Sequence, residues 1–336
     1  MRYVAHRCVV NLKPRAYSQS RRVLFSLFSD ATRSLHPVVS QEAVQGIHTG
    51  LSLECAKAGV KRTLCLAPYT VPRTEVRLRT PADLSMDLTS VVDILERIAP
   101  PSTAASWDNV GLLVEPSGAH AVRDVLFTND LTERVMDEAV KQGVQLIVSY
   151  HPPIFAPLRA LRQSRWKERV VVRCLENRIA VYSPHTAWDV AQDGTNDWLA
   201  SCFGPATTEE GGVVRTLTSP VALGELAALL KAHLGAPVRL ALADRHTLHS
   251  PVARIALCAG SGASLLRDAD AELLVTGEMS HHELLDATHR GSSVLLCEHA
   301  VSERGSLAGL AERVRQEAPT IGVHLARADI GPLQPV

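Results

Sequence analysis

The sequence predicts an α/β protein of two lobes with mixed, largely parallel sheets. Three observations carry that expectation. From Val125 onward, apolar runs of strand length alternate with segments of helical periodicity, the pattern of a layered parallel sheet. Four of the runs (146–149, 179–182, 273–276 and 294–297) lead straight into segments that hold His, three of them with Asp or Glu close by. A loop-like stretch rich in Gly, Thr and Glu, 205–220, then divides the chain into lobes 84–204 and 221–336.

In chain order, Met86, Leu88, Val91, Val92, Leu95, Ile98 and Ala99 keep helical spacing, and Pro100-Pro101 stop the helix. Ala105 to Val114 reads as a loop with a short apolar run, and Trp107-Asp108-Asn109 as a turn with a buried Trp or as a pocket wall. A strand at 125–127 leads through Thr128-Asn129-Asp130 into a helix that Gly143 ends. The strand that follows is stopped at His151 by Pro152-Pro153, because proline cannot donate to a ladder. Trp166–Asn177 reads as a helix, 179–182 as a strand and 193–203 as a short helix. In the second lobe, helices are expected near 222–234, 281–290 and 305–317. Strands are expected at 238–242, 252–258, 273–276, 294–297 and 321–325. Gly260-Ser261-Gly262 reads as a glycine turn before a helix, either a tight strand-to-helix connection or a turn that admits an anion at the helix N-terminus.

A length of 336 residues calls for one large or two smaller domains. The chain is 46% hydrophobic and 21% charged, as globular proteins are, and only 4% aromatic, so its core must be mostly aliphatic. No apolar run approaches the ~20 residues that span a bilayer, and no membrane partner is expected. The seven Cys form no CxxC pair, and Cys258 and Cys297 lie inside apolar runs, as buried free thiols do. Net charge is zero, but residues 1–80 hold 13 Lys/Arg against 4 Asp/Glu. The first 29 residues carry six basic residues and no acid, which is either a mitochondrial transit segment or a disordered tail. We therefore expect 1–80 to stand outside the compact fold and the mature chain to be mitochondrial or cytoplasmic. No interleaving of aromatic and basic residues points to direct contact with nucleic acid.

The His and carboxylate residues at the ends of the apolar runs would lie along one sheet edge, where open α/β sheets bind ligands. His299 and Glu303, at i and i+4, share a face at the start of a helix. Asp189 follows His185 by four residues in a Pro-broken stretch, and Glu278 precedes His281-His282, of which at most one can face a given ion. Walker loops, nucleophile elbows and paired-Cys zinc sites are absent. A mixed His/carboxylate set suits Zn²⁺, Mn²⁺, Fe²⁺ or Co²⁺ better than Ca²⁺. A pair of such ions can support hydrolysis.

Ser149-Tyr150-His151-Pro152-Pro153-Ile154-Phe155, Pro184 to Asp189, Gly277 to His282, and Glu298-His299 through Gly305 form an ordered set, with Trp107 to Leu113 upstream. Together they resemble the Nif-three-like family, also labelled GTP cyclohydrolase 1 type 2, over about 84–336. The resemblance implies two α/β lobes with a dinuclear metal site in the cleft between them. It implies His151, Asp189, His299 and Glu303 as ligands of two divalent ions, and His185, Glu278, His281 and His282 as neighbouring catalytic or substrate-contacting residues. It implies self-assembly as a dimer or hexamer. Two activities stay open: metal-dependent hydrolysis of a nucleotide-like substrate, or a non-enzymatic role in metal handling or in binding transcription co-repressors, which would allow a nuclear location. Many members read His-His where this chain reads Tyr150-His151, so one metal position is expected to be the weaker. The stretch 204–220 leaves no room for the PII-like insertion of longer members, which makes this the short form.

Overall fold

The computed structural model describes residues 85–209 and 212–333, so the expectations for 1–80 lie outside the described residues. The first elements are β1 (Met86–Asp87), α1 (Leu88–Ile98), β2 (Gly111–Val114), β3 (Ala121–Val122), β4 (Asp124–Thr128), α2 (Glu133–Gln142) and β5 (Leu146–Ser149). Then come α3 (Trp166–Glu176), β6 (Ala180–Ser183), α4 (His185–Val190) and α5 (Thr195–Ala200). Helix α1 starts at Leu88 because the Asp87 carboxylate accepts the Thr89 N–H at 3.1 Å. Helix α2 starts at the Thr132 cap and ends where Gly143 takes a left-handed φ of 68° and bonds back to Ala139 and Val140.

The second half supplies β7 (Ala206–Thr208), β8 (Val214–Ala222), α6 (Leu223–Leu234), β9 (Arg239–Ala241) and β10 (Pro251–Cys258). It continues with α7 (Ala263–Leu266), β11 (Leu273–Thr276), α8 (His281–Arg290), β12 (Ser293–Leu296) and α9 (Val301–Arg304). The last elements are α10 (Leu307–Glu317) and β13 (Gly322–Leu325). One sheet is ordered β13-β4-β5-β6-β2 and the other β7-β8-β10-β11-β12-β9.

The mixed α/β class is as expected, with three differences. First, 205–220 is no linker: β7 and β8 pair antiparallel, and β8 pairs antiparallel with β10. A hairpin needs only a short turn, so half-exposed strands fit into a stretch that reads as loop. Second, the second sheet is not largely parallel, since only β10-β11 and β11-β12 pair that way. Third, the lobes are not consecutive in sequence. Leu307, Leu310, Ala311 and Val314 of α10 pack with Val91, Ile94 and Leu95 of α1, and β13 pairs parallel with β4. In exchange Leu199 of α5 and Phe203 join the second core, with Leu223 and Leu226 of α6.

Each sheet is covered on both faces. Buried Val, Leu and Ile of β4, β5 and β6 alternate between the α1/α10 side and the α2/α3 side. Those of β10, β11 and β12 alternate between the α6 side and the α7/α8 side. Parallel strands buried on both faces read as unbroken apolar runs, which is why these were the visible ones. Their carboxyl ends do not form one edge. Two runs end in each sheet, and the chain brings the two edges together at His151 and His299, whose Nε2 atoms lie 3.3 Å apart.

Candidate metal centre

His151 leaves β5 in register with the neighbouring segment. The N–H groups of Tyr150 and His151 reach the Thr128 and Asn129 carbonyls at 2.8 and 3.0 Å before Pro152 ends the ladder. His299 follows β12 through Glu298, a non-glycine at φ 66°, and turns its Nε2 toward Glu303 of α9. Glu303 is one turn further on, with 3% of its side chain exposed. Its Oε1 meets His299 Nε2 at 3.0 Å and its Oε2 meets His151 Nε2 at 3.4 Å. The three ligand atoms lie within 4.8 Å of one another.

The outer ring nitrogens are engaged too. His151 Nδ1 meets Asp130 Oδ1 at 3.0 Å, and His299 Nδ1 meets Glu278 Oε1 at 3.0 Å. A carboxylate on the far nitrogen fixes ring orientation and leaves the near one for a ligand. The fully buried Asn129 donates from Nδ2 to Glu303 Oε2 at 3.2 Å, while its Oδ1 has no partner among the described residues. Asp329 joins the two walls: it accepts the Asn129 N–H at 2.6 Å and the Arg304 Nη2 at 3.0 Å.

Gly260, in the β10-to-α7 turn, sits directly under the cluster at φ 64°. A Cβ there would lie 2.4 Å from Glu303 Oε1 and 3.2 Å from His299 Nε2. The turn is fastened by the Gly260 N–H to Ser302 Oγ at 2.8 Å and by the Glu278 N–H to the Gly260 carbonyl at 3.0 Å.

Burial alone would lower the His151 pKa, but hydrogen bonds and charge from Asp130 and Glu303 outweigh it and hold it at about 10. The Glu303 hydrogen bond lifts His299 to about 9 against the effect of burial. Burial works to raise the Glu303 pKa, and the two imidazoles more than reverse it, so the carboxylate stays ionised. Two imidazolium protons thus carry the positive charge that this buried carboxylate requires. A divalent cation on the same three atoms would supply it instead, so the residues fit a metal ion of the Zn²⁺, Mn²⁺, Fe²⁺ or Co²⁺ kind.

A second limb adjoins. The buried Tyr150 hydroxyl donates a hydrogen bond to Asp189 Oδ1. Burial raises the Asp189 pKa to about 6; the Tyr150 hydrogen bond opposes that and the Glu303 charge adds to it. His185, a non-glycine at φ 32°, meets the buried Asp108 through Nδ1 at 2.7 Å. Burial would raise the Asp108 pKa, yet hydrogen bonds from His185 and Thr186 hold it at about 2. The His185 ring lies 5.4 Å from that of His151, centroid to centroid.

Of the residues expected from sequence, His151, His299 and Glu303 form one cluster, with Glu278 bonded to its His299. Asp189 and His185 adjoin it through Tyr150. His281 and His282 do not join. Their rings, 5.4 Å apart, face solvent in the first turn of α8, because the Ser280–Glu283 capping box fixes that helix start. Sequence reasoning missed Asn129, Asp130 and Asp329 as parts of the site, and it read the Gly260 turn as a tight or anion-admitting connection, not as a neighbour of Glu303 and His299. Asn129-Asp130 at a strand end was the one available signal; contact with Asp329 arises 200 residues away along the chain.

Comparisons agree with this architecture. The family model described as Duf34/NIF3 (NGG1p interacting factor 3) matches residues 86–331. NIF3-like protein 1 of Drosophila melanogaster is 48% identical over 230 residues, covering 66% of this chain and 79% of that protein. A GTP cyclohydrolase 1 type 2 homolog of Clostridium perfringens is 31% identical over 245 residues, covering 69% and 92%. The crystal structure of a Bacillus cereus protein related to NIF3 superposes with a TM-score of 0.63 at 20% identity, over 75% of this chain and 99% of that one.

Proposed function

The chain belongs to the Duf34/NIF3 family, and from that premise we propose that it binds two divalent metal ions and uses them to hydrolyse a nucleotide-like substrate. The observation that carries this reading is the buried Glu303 held between His151 and His299 from opposite sheets. These three residues would hold one ion, and Asp189 with the shared Glu303 a second. Bound there, a divalent ion supplies Lewis-acid polarisation of a substrate oxygen. The chain's own residues do the rest. Asn129 holds the Glu303 carboxylate by a hydrogen bond that involves neither imidazole. Asp130 and Glu278 hold the far sides of His151 and His299. Tyr150 aims Asp189. His185, fixed at Nδ1 by a carboxylate that stays ionised, is placed to carry a proton at its other nitrogen. The nucleotide-like substrate is suggested by the name of the Clostridium relative.

The test is turnover of purine nucleotides by the metal-loaded full chain beside its Glu303→Gln variant. Ring opening or hydrolysis by the first and not by the second supports the reading. Turnover that survives the substitution points to another site or a contaminant. A second reading, a metal-handling or adaptor protein, is favoured by one observation: the family description names an interacting factor. Metal content without turnover of any nucleotide would select it.

A further inference from the structure

We propose that Trp107 and Phe155 form a stacking platform that takes the planar heteroaromatic ring of the substrate beside the metal centre; this rests on the nucleotide reading above and names the part of the substrate that is recognised. Trp107 is 64% exposed and Phe155 49%, two of the three large aromatic side chains that are exposed among the described residues. They meet each other at 6.0 Å between centroids and each meets His185, at 6.1 and 6.3 Å, in edge-to-face geometry. His185 in turn lies 5.4 Å from the His151 ring, so a single imidazole separates the exposed pair from the metal centre.

The exposure of Trp107 does not come from a loose loop. On its C-terminal side, Asp108 accepts the Thr186 N–H at 3.2 Å and the Asn109 N–H at 2.7 Å, besides its contact with His185 at 2.7 Å. On its N-terminal side, the Ala105 N–H reaches Thr186 Oγ1 at 3.0 Å. The Asn109 amide bonds to the Ile154 carbonyl, one residue before Phe155, which ties the two ring-bearing segments to each other. Folding thus gains little from the indole yet holds it in place. An exposed aromatic side chain on a fastened backbone pays its ordering entropy before a ligand arrives. The rings do not stack on one another, so a face of the exposed indole stays open to a flat partner. A heterocycle laid there keeps its polar edges free, and the rest of the molecule can reach the His151 side.

The experiment is calorimetric titration of guanosine into the metal-loaded full chain, with metal content and solution mass measured on the same samples. Guanosine carries the ring without phosphate, so neither turnover nor an anion site enters the readout. Trp107→Ala should weaken binding about tenfold, the range that base–aromatic stacking gives. Trp107→Phe should keep most of the affinity, and Phe155→Ala should lose part of it, all at unchanged metal content. The platform is overturned if the unmodified chain does not bind guanosine, or if Trp107→Ala binds as well as the unmodified chain. It is also overturned if Trp107→Ala changes the mass in solution, which would make the pair a contact between copies. Failure of the metal reading would show separately, as missing metal.

Discussion

Gly260→Ala offers a strict test of how the centre is built, because one methyl group is placed against two proposed ligands at once. The added Cβ would lie 2.4 Å from Glu303 Oε1 and 3.2 Å from His299 Nε2. An ordinary carbon–oxygen contact needs about 3.4 Å or more, so the carboxylate must retreat by about 1 Å. It has nowhere to go: its side chain is 3% exposed, Oε2 is engaged by Asn129 at 3.2 Å, and Oε1 by His299 at 3.0 Å. Metal–ligand distances tolerate about 0.2 Å, several-fold less than the displacement. We therefore expect metal affinity to fall at least about 100-fold, or about 2.7 kcal/mol. Alanine at φ 64° adds about 1–2 kcal/mol of backbone strain. That strain should lower the melting temperature of the metal-free protein by a few degrees. The assay is chelator competition with Zn²⁺, paired with melting curves. Gly309→Ala is the control, since its Cβ meets nothing within 4 Å in the exposed first turn of α10. It should leave metal affinity unchanged and raise stability slightly. A Gly260→Ala protein that holds zinc as tightly as the unmodified chain would refute the placement of Glu303.

Three further outcomes follow from the same network. His151 and His299 have folded pKa values raised to about 10 and about 9, so their stabilisation of the metal-free protein is fully present below the unfolded value near 6.5. It is lost as pH rises through 9–10, so the metal-free melting temperature should fall over pH 7–10 while the gain on adding metal grows; a pH-independent gain would contradict this. Tyr150→Phe removes the donor to a buried carboxylate, a loss of about 1.5–3 kcal/mol. It should weaken the second, Asp189-side ion and spare the first, and two ions lost together in a stepwise metal titration would contradict the assignment. Asp329→Ala unties Asn129 from Arg304, two groups on opposite walls of the site. It should cost about 10–100-fold in metal affinity, the range of ligand-orienting partners, while Asp329→Asn recovers part of it; equal affinity in all three proteins would remove Asp329 from the centre.

Much of the fold was legible because parallel strands buried on both faces leave unbroken apolar runs, and because Pro152-Pro153 and the His299/Glu303 spacing punctuate two of them. What misled was exposure and topology. Strand β8 buries only Arg215 and Leu217 fully, so 214–222 lacks the apolar run that marks a central strand. Helix α10 has the same periodicity whichever sheet it covers, and nothing local tells that it returns to α1. The pairing Asn129–Glu303 joins residues 174 positions apart, and neither side chain is unusual where it stands. Gly260 read as a tight or anion-admitting turn, because the reason for its missing side chain is a carboxylate supplied from α9. Asp108 read as a turn residue for the same reason: its partners His185 and Thr186 come from the start of α4.

The central claim is that His151, His299 and Glu303 together hold a metal ion. Anomalous diffraction at the metal absorption edge, from crystals of protein purified without chelator and soaked in Zn²⁺, tests it most directly. A peak about 2.0–2.2 Å from the Nε2 atoms of His151 and His299 and from a Glu303 oxygen is the expected result, with a second peak beside Asp189 and Glu303. Peaks only at surface residues such as His281 and His282, or none at all with the His151–Glu303–His299 contacts intact, would contradict it.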